Sequence, residues 1–407
     1  MIAKNISFEL IAERMGRIKP SPTLAVNSLA TRLKAEGHDV IDLGVGEPDF
    51  DTPENIKQAA IQAIKQGKTK YTPVDGTIEL KKAIIGKFAR ENDLHYTPGQ
   101  ITVSTGAKQV LFNALLASVN PGEEVIIPAP YWVSYPDMVA FAEGKPVIVS
   151  CPADKGFKLQ PEQLEKAITA NTKWLILNSP SNPTGAAYTE DELQSLAQVL
   201  LRHPHVQIMS DDIYEHIVFD GFEFKTIAQV EPRLFSRTLT VNGVSKSYAM
   251  TGWRIGYAGG DEALIKAMAK IQSQSTSNPC SISQAAAVEA LNGTQEFLAI
   301  NRETFEERRN MVLDLLNKIP GINCNSAEGA FYLFPSCEGL IGKRTPEGKI
   351  INSCGDFAAY LLEKGLVAAV QGAAFGMPNF FRISYATSNE VLKEACHRIA
   401  KVCASLS

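Results

Sequence analysis

Between residues 100 and 260 the chain alternates short β-rich runs with amphipathic stretches, and this alternation constrains the fold more than any other feature. The runs are Ile101 to Val103, Glu124 to Pro128, Pro146 to Val149, Lys173 to Leu177, Val206 to Met209, Thr238 to Val241 and Ile255 to Ala258. Several are continuously apolar, as strands buried on both faces must be, whereas a sheet with one wet face would alternate. One intervening helix is announced by a capping box, Thr189 with Glu192, followed by Leu193, Leu196, Ala197, Leu200 and Leu201 on one stripe. Strands alternating with such helices predict an α/β domain with a mostly parallel sheet.

The flanks have a different character. Residues 1–20 are mixed and charged, and Lys19-Pro20-Ser21-Pro22 predicts an irregular arm leading into a helix from Thr23 to Glu36. Val40 to Leu43 reads as a strand, and Pro53 to Gln66 and the stretch bearing Leu80, Ala83, Ile84 and Phe88 read as helices. After residue 300 a charged helix (Arg302 to Lys318), three short strands (Phe331 to Phe334, Val367 to Val370, Phe381 to Ser384) and a last helix (Asn389 to Ala404) predict a second, smaller α+β domain. The expected division is 1–50 for the arm and part of the small domain, 51–300 for the large domain and 301–407 for the C-terminal small domain.

A net charge of −4 over 407 residues, with no block of five or more basic residues, gives no electrostatic case for nucleic acid or an anionic membrane as partner. No apolar run reaches the length of a membrane span, and the charges at Lys4, Glu9, Glu13, Arg14, Arg17 and Lys19 fall where a signal peptide would be apolar, so a cytoplasmic protein is expected. Seven cysteines without CxxC spacing fit reduced thiols. His203-Pro204-His205 sits in a polar stretch with no adjoining thiol or carboxylate cluster, and no metal is expected.

In an open parallel sheet, ligands bind beyond the carboxyl ends of the strands, so loops far apart in sequence can meet. Ser104-Thr105-Gly106-Ala107-Lys108 follows one strand and opens a helix, offering free N–H groups and a positive dipole end to an anion. Asn178 to Gly185, Asp211 and Lys246 follow three more. Lys246 lies among Gly243, Ser245 and Ser247, where its amine can approach a ligand closely and turn nucleophilic if its surroundings lower its pKa. Arg254, eight residues on, is a planar clamp for phosphate. Gly44 and Gly46 let backbone come close to something, but a dinucleotide fingerprint would need a third glycine and a following helix, which disfavours a nicotinamide dehydrogenase. By itself Tyr71, in a turn-rich loop, reads equally well as an aromatic lid on the next helix.

Gly243-Val244-Ser245-Lys246 followed by Met250, Gly252, Arg254 and Gly256 resembles the cofactor-lysine signature of the class I aminotransferases, fold type I enzymes that use pyridoxal 5′-phosphate (PLP). The family has Gly or Ser at the first position; with Gly243 here, one hydroxyl that some relatives aim at the phosphate is missing. The resemblance runs from Lys19 to Ser388 and implies a large domain built on a seven-stranded, mostly parallel sheet plus a smaller α+β domain. It implies Lys246 as the catalytic, cofactor-bonding lysine, Asp211 as partner of the pyridine nitrogen, Tyr214 and Asn182 at the ring hydroxyl and Trp132 stacked on the ring. Ser104, Gly106, Ala107, Lys108 and Arg254 would hold the phosphate, joined by Tyr71 from the partner subunit of a homodimer. Arg382 would hold the substrate α-carboxylate beside Gly46, Trp132 and Asn182.

The chain is most similar to the prokaryotic branch of aspartate aminotransferases, which implies aspartate and 2-oxoglutarate as substrates. Where another branch has an arginine for the distal carboxylate, the segment Ser273 to Thr276 begins with serine, leaving Lys19 or Lys108 for that group. A lysine matching Lys19 implies prephenate, converted to arogenate, as a further substrate. The alternatives are an alanine, methionine or aromatic aminotransferase, a PLP β-lyase, or a transcription regulator with this fold, for whose DNA-binding domain there is no room before residue 20.

Overall fold

The computed structural model describes residues 10–20 and 22–407; residues 1–9 and Ser21, all in the expected arm, lie outside the described residues. The arm that is described holds a one-turn helix, Glu13–Arg17. Helix α1 (Pro22–Ala35) follows, then strand β1 (Ile41–Asp42) and helices α2 (Glu54–Lys65) and α3 (Ile78–Asn92).

Seven strands then build the main sheet: β2 (Ile101–Ser104), β3 (Glu124–Ala129), β4 (Lys145–Ser150), β5 (Thr172–Asn178), β6 (Gln207–Asp211), β7 (Thr238–Gly243) and β8 (Gly256–Gly259), in the order β2-β8-β7-β6-β5-β3-β4. Only β8 runs against its neighbours β2 and β7. The six others share one direction, so their carboxyl ends open on one edge.

Strand β5 shows why these runs carry no polar alternation. Trp174 and Ile176 face a core with Leu111 and Leu115 of helix α4 (Ala107–Ser118) and Val139 of helix α5 (Ser134–Phe141), while Leu175 and Leu177 face Leu193, Leu196 and Leu200 of the helix Glu190–Arg202. Both faces are covered, and every position from Trp174 to Leu177 is apolar. The expected capping box of that last helix is formed, Thr189 Oγ1 accepting from Glu192 N.

Residues from both ends of the chain build a second body. Strand β9 (Tyr332–Leu333) precedes β10 (Val367–Ala368), β11 (Val370–Gln371) and β12 (Phe381–Ser384). Strand β1 pairs with β10, and β11-β12-β9 form an antiparallel sheet against the helices Cys354–Gly365 and Asn389–Ala404. The single strand expected over Val367 to Val370 is two, separated by Ala369, because the chain changes partner there from β1 to β12. The charged helix begins earlier than Arg302, at Glu296, since Phe297 packs edge-on against Tyr248 and carries the buried face back by a turn.

Candidate active site

Five loops from the main sheet, the loop after β1 and two strands of the smaller sheet, β9 and β12, surround a cavity of about 510 Å³ at the carboxyl edge. Trp132, Asn182, Asp211, Tyr214, Lys246, Arg254 and Arg382 all line it, together with Gly46, Ala107 and Lys108. Residues 200 apart in sequence thus meet because one strand direction dominates the sheet.

Asp211 closes strand β6 and is 4% exposed. Tyr135 Oη donates to its Oδ2 at 2.6 Å, while Oδ1 has no partner among the described residues. Burial raises this carboxyl to about 6 against the downward pull of the Tyr135 hydrogen bond. The neighbouring Asp212 turns away: it accepts from Ser210 Oγ at 2.7 Å and does not line the cavity. Asn178 Nδ2 donates to Asp211 O at 2.8 Å and Asn178 Oδ1 accepts from Asn182 N at 2.9 Å, so one side chain ties the ends of β5 and β6 together.

Lys246 follows strand β7 and donates from Nζ to Gly46 O at 2.6 Å. Its ammonium lies over the rings of Tyr214 and Phe331, at 5.9 and 5.8 Å. Burial first, then the charge of Arg382, lowers the amine to about 8, so the neutral form is far more populated near neutral pH than for a free lysine. Arg382, 2% exposed, donates from Nη1 to Asn182 Oδ1 at 2.9 Å and from Nη2 to Gly44 O at 2.5 Å. Its guanidinium is stacked on Tyr332 at 4.7 Å and Phe375 at 5.1 Å, and its buried Nε has no partner among the described residues. A buried, incompletely paired guanidinium beside a cavity is suited to a carboxylate.

At the other end of the cavity Gly106, with φ of 85°, precedes the first turn of α4. A Cβ on Gly106 would collide with the Arg254 guanidinium, so the glycine lets that cation settle over the helix N-terminus. Arg254 itself has φ of 55° and is anchored by Nη1 donating to Thr251 O at 2.8 Å. Lys108 Nζ stands 4.8 Å above the Trp132 ring, and burial and Arg254 lower its pKa. Helix N-terminus, Arg254 and Lys108 together make an anion site.

Family membership decides the chemistry. The description "Aminotransferase class I and II" matches residues 38–399. The chain belongs to the class I and II aminotransferases. This aminotransferase is 62% identical over 397 residues, 98% of its own length and 99% of the other, to the aspartate/prephenate aminotransferase of Cereibacter sphaeroides. It is 60% identical to the aspartate aminotransferase of Rhizobium meliloti, with 97% of each chain covered. Among solved structures, an aspartate aminotransferase from Rhizobium meliloti superposes with a TM-score of 0.95 at 60% identity, covering 98% of this chain and 99% of the other. The Thermus thermophilus aspartate aminotransferase solved with maleate superposes with a TM-score of 0.90 at 43% identity, covering 96% and 99%.

Four of the expected site residues do not line this aminotransferase's cavity; one is Gly106, which precedes the first turn of α4 and lies against the Arg254 guanidinium. Ser104 turns its hydroxyl to Gln272 Oε1 at 2.5 Å. Tyr71 is 91% exposed, and Lys19 is exposed on the arm, its backbone N 3.4 Å from Asp137 Oδ1. Two tyrosines that sequence reasoning missed do line it, Tyr135 and Tyr332. Tyr135 stands three residues after Trp132, a spacing that could have flagged it; Tyr332 is delivered by the pairing of β9 with β12, which leaves no local signal.

Among the described residues Glu91, Glu215 and His216 form a cluster with metal-like spacing, but Lys87 Nζ is ion-paired to both glutamates and occupies the place of a cation. No helix among the described residues is long and apolar enough to cross a membrane.

Proposed function

We propose that this aminotransferase uses PLP to transfer the amino group of aspartate to 2-oxoglutarate, and that it also takes prephenate to arogenate. The observation that carries the reading is one cavity holding a lysine amine lowered to about 8, Lys246, with the orphaned carboxylate oxygen of Asp211 and the incompletely paired guanidinium of Arg382. The names of the relatives at 62% and 60% identity supply the substrate class.

The residues present fit PLP. Asp211 Oδ1 is a buried acceptor with no partner among the described residues, suited to a protonated pyridine nitrogen, and Trp132 offers a ring to stack on. Tyr214 and Asn182 offer polar atoms to a ring hydroxyl. Gly106, Ala107, Lys108 and Arg254 would take the phosphate, with Ser104 contributing through its place at the end of β2. PLP, when bound, supplies an electron sink for charge left on the substrate α-carbon.

The protein does the rest. Arg382 binds the α-carboxylate, which fixes the bond to hydrogen at the α-carbon relative to Lys246. The Lys246 amine then accepts that proton and returns it on the far side of the transfer, so one group serves as both base and acid. Lys108, whose ammonium overhangs Trp132 inside the cavity, is placed for the distal carboxylate of aspartate. In this reading Lys19, exposed on the arm and outside the cavity lining, meets a larger dicarboxylate such as prephenate, on the strength of the relatives' names.

In this reading the chain works as a cytoplasmic homodimer in which Tyr71 of one subunit reaches its partner's phosphate site; its 91% exposure in the single chain supports that. Residues 51–300 form the cofactor-binding domain, and 1–50 supply the arm and a part of the small domain that 301–407 completes; the pairing of β1 with β10 supports this division.

The test is a single turnover of the PLP-loaded protein. Aspartate and glutamate, but not phenylalanine, should bleach the visible absorbance band of the lysine-linked cofactor, and 2-oxoglutarate and prephenate should restore it. Lys246→Ala should lack the band from the start. Bleaching mainly by apolar amino acids would overturn the substrate assignment and leave the cofactor site standing.

A further inference from the structure

Tyr332 is buried to 1% exposure and lines the cavity, yet none of the roles above uses it. Its place follows from strand register. Tyr332 on β9 pairs with Ser384 on β12, and Arg382 lies two residues before Ser384, so Tyr332 and Arg382 are diagonal neighbours on one sheet face. That geometry puts the phenol ring 4.7 Å from the guanidinium carbon.

The hydroxyl at the far end of the ring has little freedom. A Cβ added to Gly46 would lie 2.5 Å from Tyr332 Oη, so the hydroxyl rests against the Gly46 backbone, whose carbonyl holds Lys246 Nζ. Its hydrogen-bond partner among the described residues is Tyr214 Oη at 2.9 Å. The two rings meet edge to face, with centroids 5.8 Å apart and planes at 84°, and Phe331 packs against both. This hydrogen bond joins the smaller sheet to the loop that follows β6.

A phenol has one proton. If Tyr214 donates to Tyr332, lone pairs are all it can offer the cavity; if Tyr332 donates, the Tyr214 proton is turned toward the cavity, and its acidity is enhanced by the bond it accepts. Tyr332 Oη makes no other hydrogen bond among the described residues, and the neighbouring Arg382 presents only donors, so Tyr214 Oη is the acceptor at hand for its proton. We infer that Tyr332 is a positioning residue: its hydroxyl donates to Tyr214 and thereby makes Tyr214 a fixed hydrogen-bond donor toward the ring oxygen of the cofactor. This inference rests on the PLP reading, and it assigns to β9 a part in the reaction that the main sheet alone does not supply.

The experiment is a spectrophotometric pH titration of the visible band in PLP-loaded wild type, Tyr332→Phe, Tyr214→Phe and the double variant, with steady-state kinetics alongside. In Tyr332→Phe the phenyl ring stays under Arg382, so the substitution removes the hydroxyl alone. Loss of the donated bond weakens Tyr214 as a donor, and the proton affinity of the titrating group should rise about fivefold, the scale of one hydrogen bond. The kcat should fall by a similar factor while KM for aspartate stays within about twofold. In the Tyr214→Phe background, Tyr332→Phe should add no shift, since its effect is routed through Tyr214. A Tyr332→Phe titration equal to wild type while Tyr214→Phe shifts, an additive shift in the double variant, or loss of the band in Tyr332→Phe but not in Tyr214→Phe would each overturn the inference. No shift in Tyr214→Phe would overturn it as well, whereas no visible band in wild type would instead refute the PLP reading beneath it.

Discussion

Tyr135 donates its hydroxyl proton to Asp211 Oδ2 at 2.6 Å, and so fixes which oxygen of that carboxylate, Oδ1, faces a ligand. The bond does two things. It orients the carboxylate, and it holds at about 6 a pKa that burial alone would lift further. Without it Asp211 would rise further, and a protonated Asp211 cannot hold a pyridinium proton. For Tyr135→Phe we therefore expect the apoenzyme to bind PLP about tenfold more weakly, the size of one hydrogen bond to a charged group. The decline of affinity toward acid should also begin at a higher pH than in wild type. Binding isotherms from about pH 5 to about pH 8, the span around the raised carboxyl, check this; curves that superpose with wild type would remove Tyr135 from the site's electrostatics.

The Lys246 amine gives a second pH signature. Its pKa is lowered to about 8, by burial first and by Arg382 next, so the neutral, nucleophilic form grows as pH rises through that value. Capture of PLP by the apoenzyme should accelerate from about pH 7 to about pH 9 and level off above. Arg382→Ala takes away a positive charge and admits water, and both changes favour the protonated amine. Its capture profile should therefore move to higher pH. Stopped-flow traces of band formation measure both, and a shift to lower pH would contradict the account.

The glycines of the lysine signature separate into two kinds. A Cβ on Gly256 of β8 would collide with Gly106 C and Ala107 N, which are backbone and cannot swing aside, whereas Gly252 has nothing within 4 Å. Gly256→Ala should thus lower stability by about 1–3 kcal/mol and displace the first turn of α4, with loss of phosphate affinity. Gly252→Ala should stay within about 0.5 kcal/mol of wild type. Thermal melts of the apoenzyme with and without inorganic phosphate distinguish the two.

Much of this architecture was legible in the sequence, for identifiable reasons. The strands of the main sheet declare themselves because burial on both faces removes polar residues, as Trp174 to Leu177 illustrate. The convergence of Asp211, Asn182 and Lys246 follows from the common strand direction, and the signature around Lys246 named the residues. What stayed hidden depends on pairings of high sequence separation. The break at Ala369 exists only because β10 and β11 have different partners, and Tyr332 reaches Tyr214 across 118 residues through the register of β9 on β12. Asp212 is adjacent to Asp211 in sequence, and its hydrogen bond with Ser210 shows why Asp211 is the carboxylate left to face the cavity.

In the function proposed above, substrate breadth turns on two lysines that stand in different places. Lys108 Nζ is held over the Trp132 ring inside the cavity that Arg382 also lines, and suits a short dicarboxylate. Lys19 belongs to an arm tethered to α5 and the residues after it by the Lys19 N to Asp137 contact and the Arg17–Glu143 ion pair, both exposed and individually weak. Such an arm can adjust to a bulkier acceptor. Lys108→Ala should raise KM for aspartate at least about tenfold, since it leaves the distal carboxylate without a cation in a partly desolvated site. Lys19→Gln should leave aspartate kinetics within about twofold and lower kcat/KM for prephenate about tenfold. Steady-state kinetics of both variants with both substrates decide the matter: equal losses on the two substrates in Lys19→Gln would mean that the arm supports closure generally and does not select prephenate.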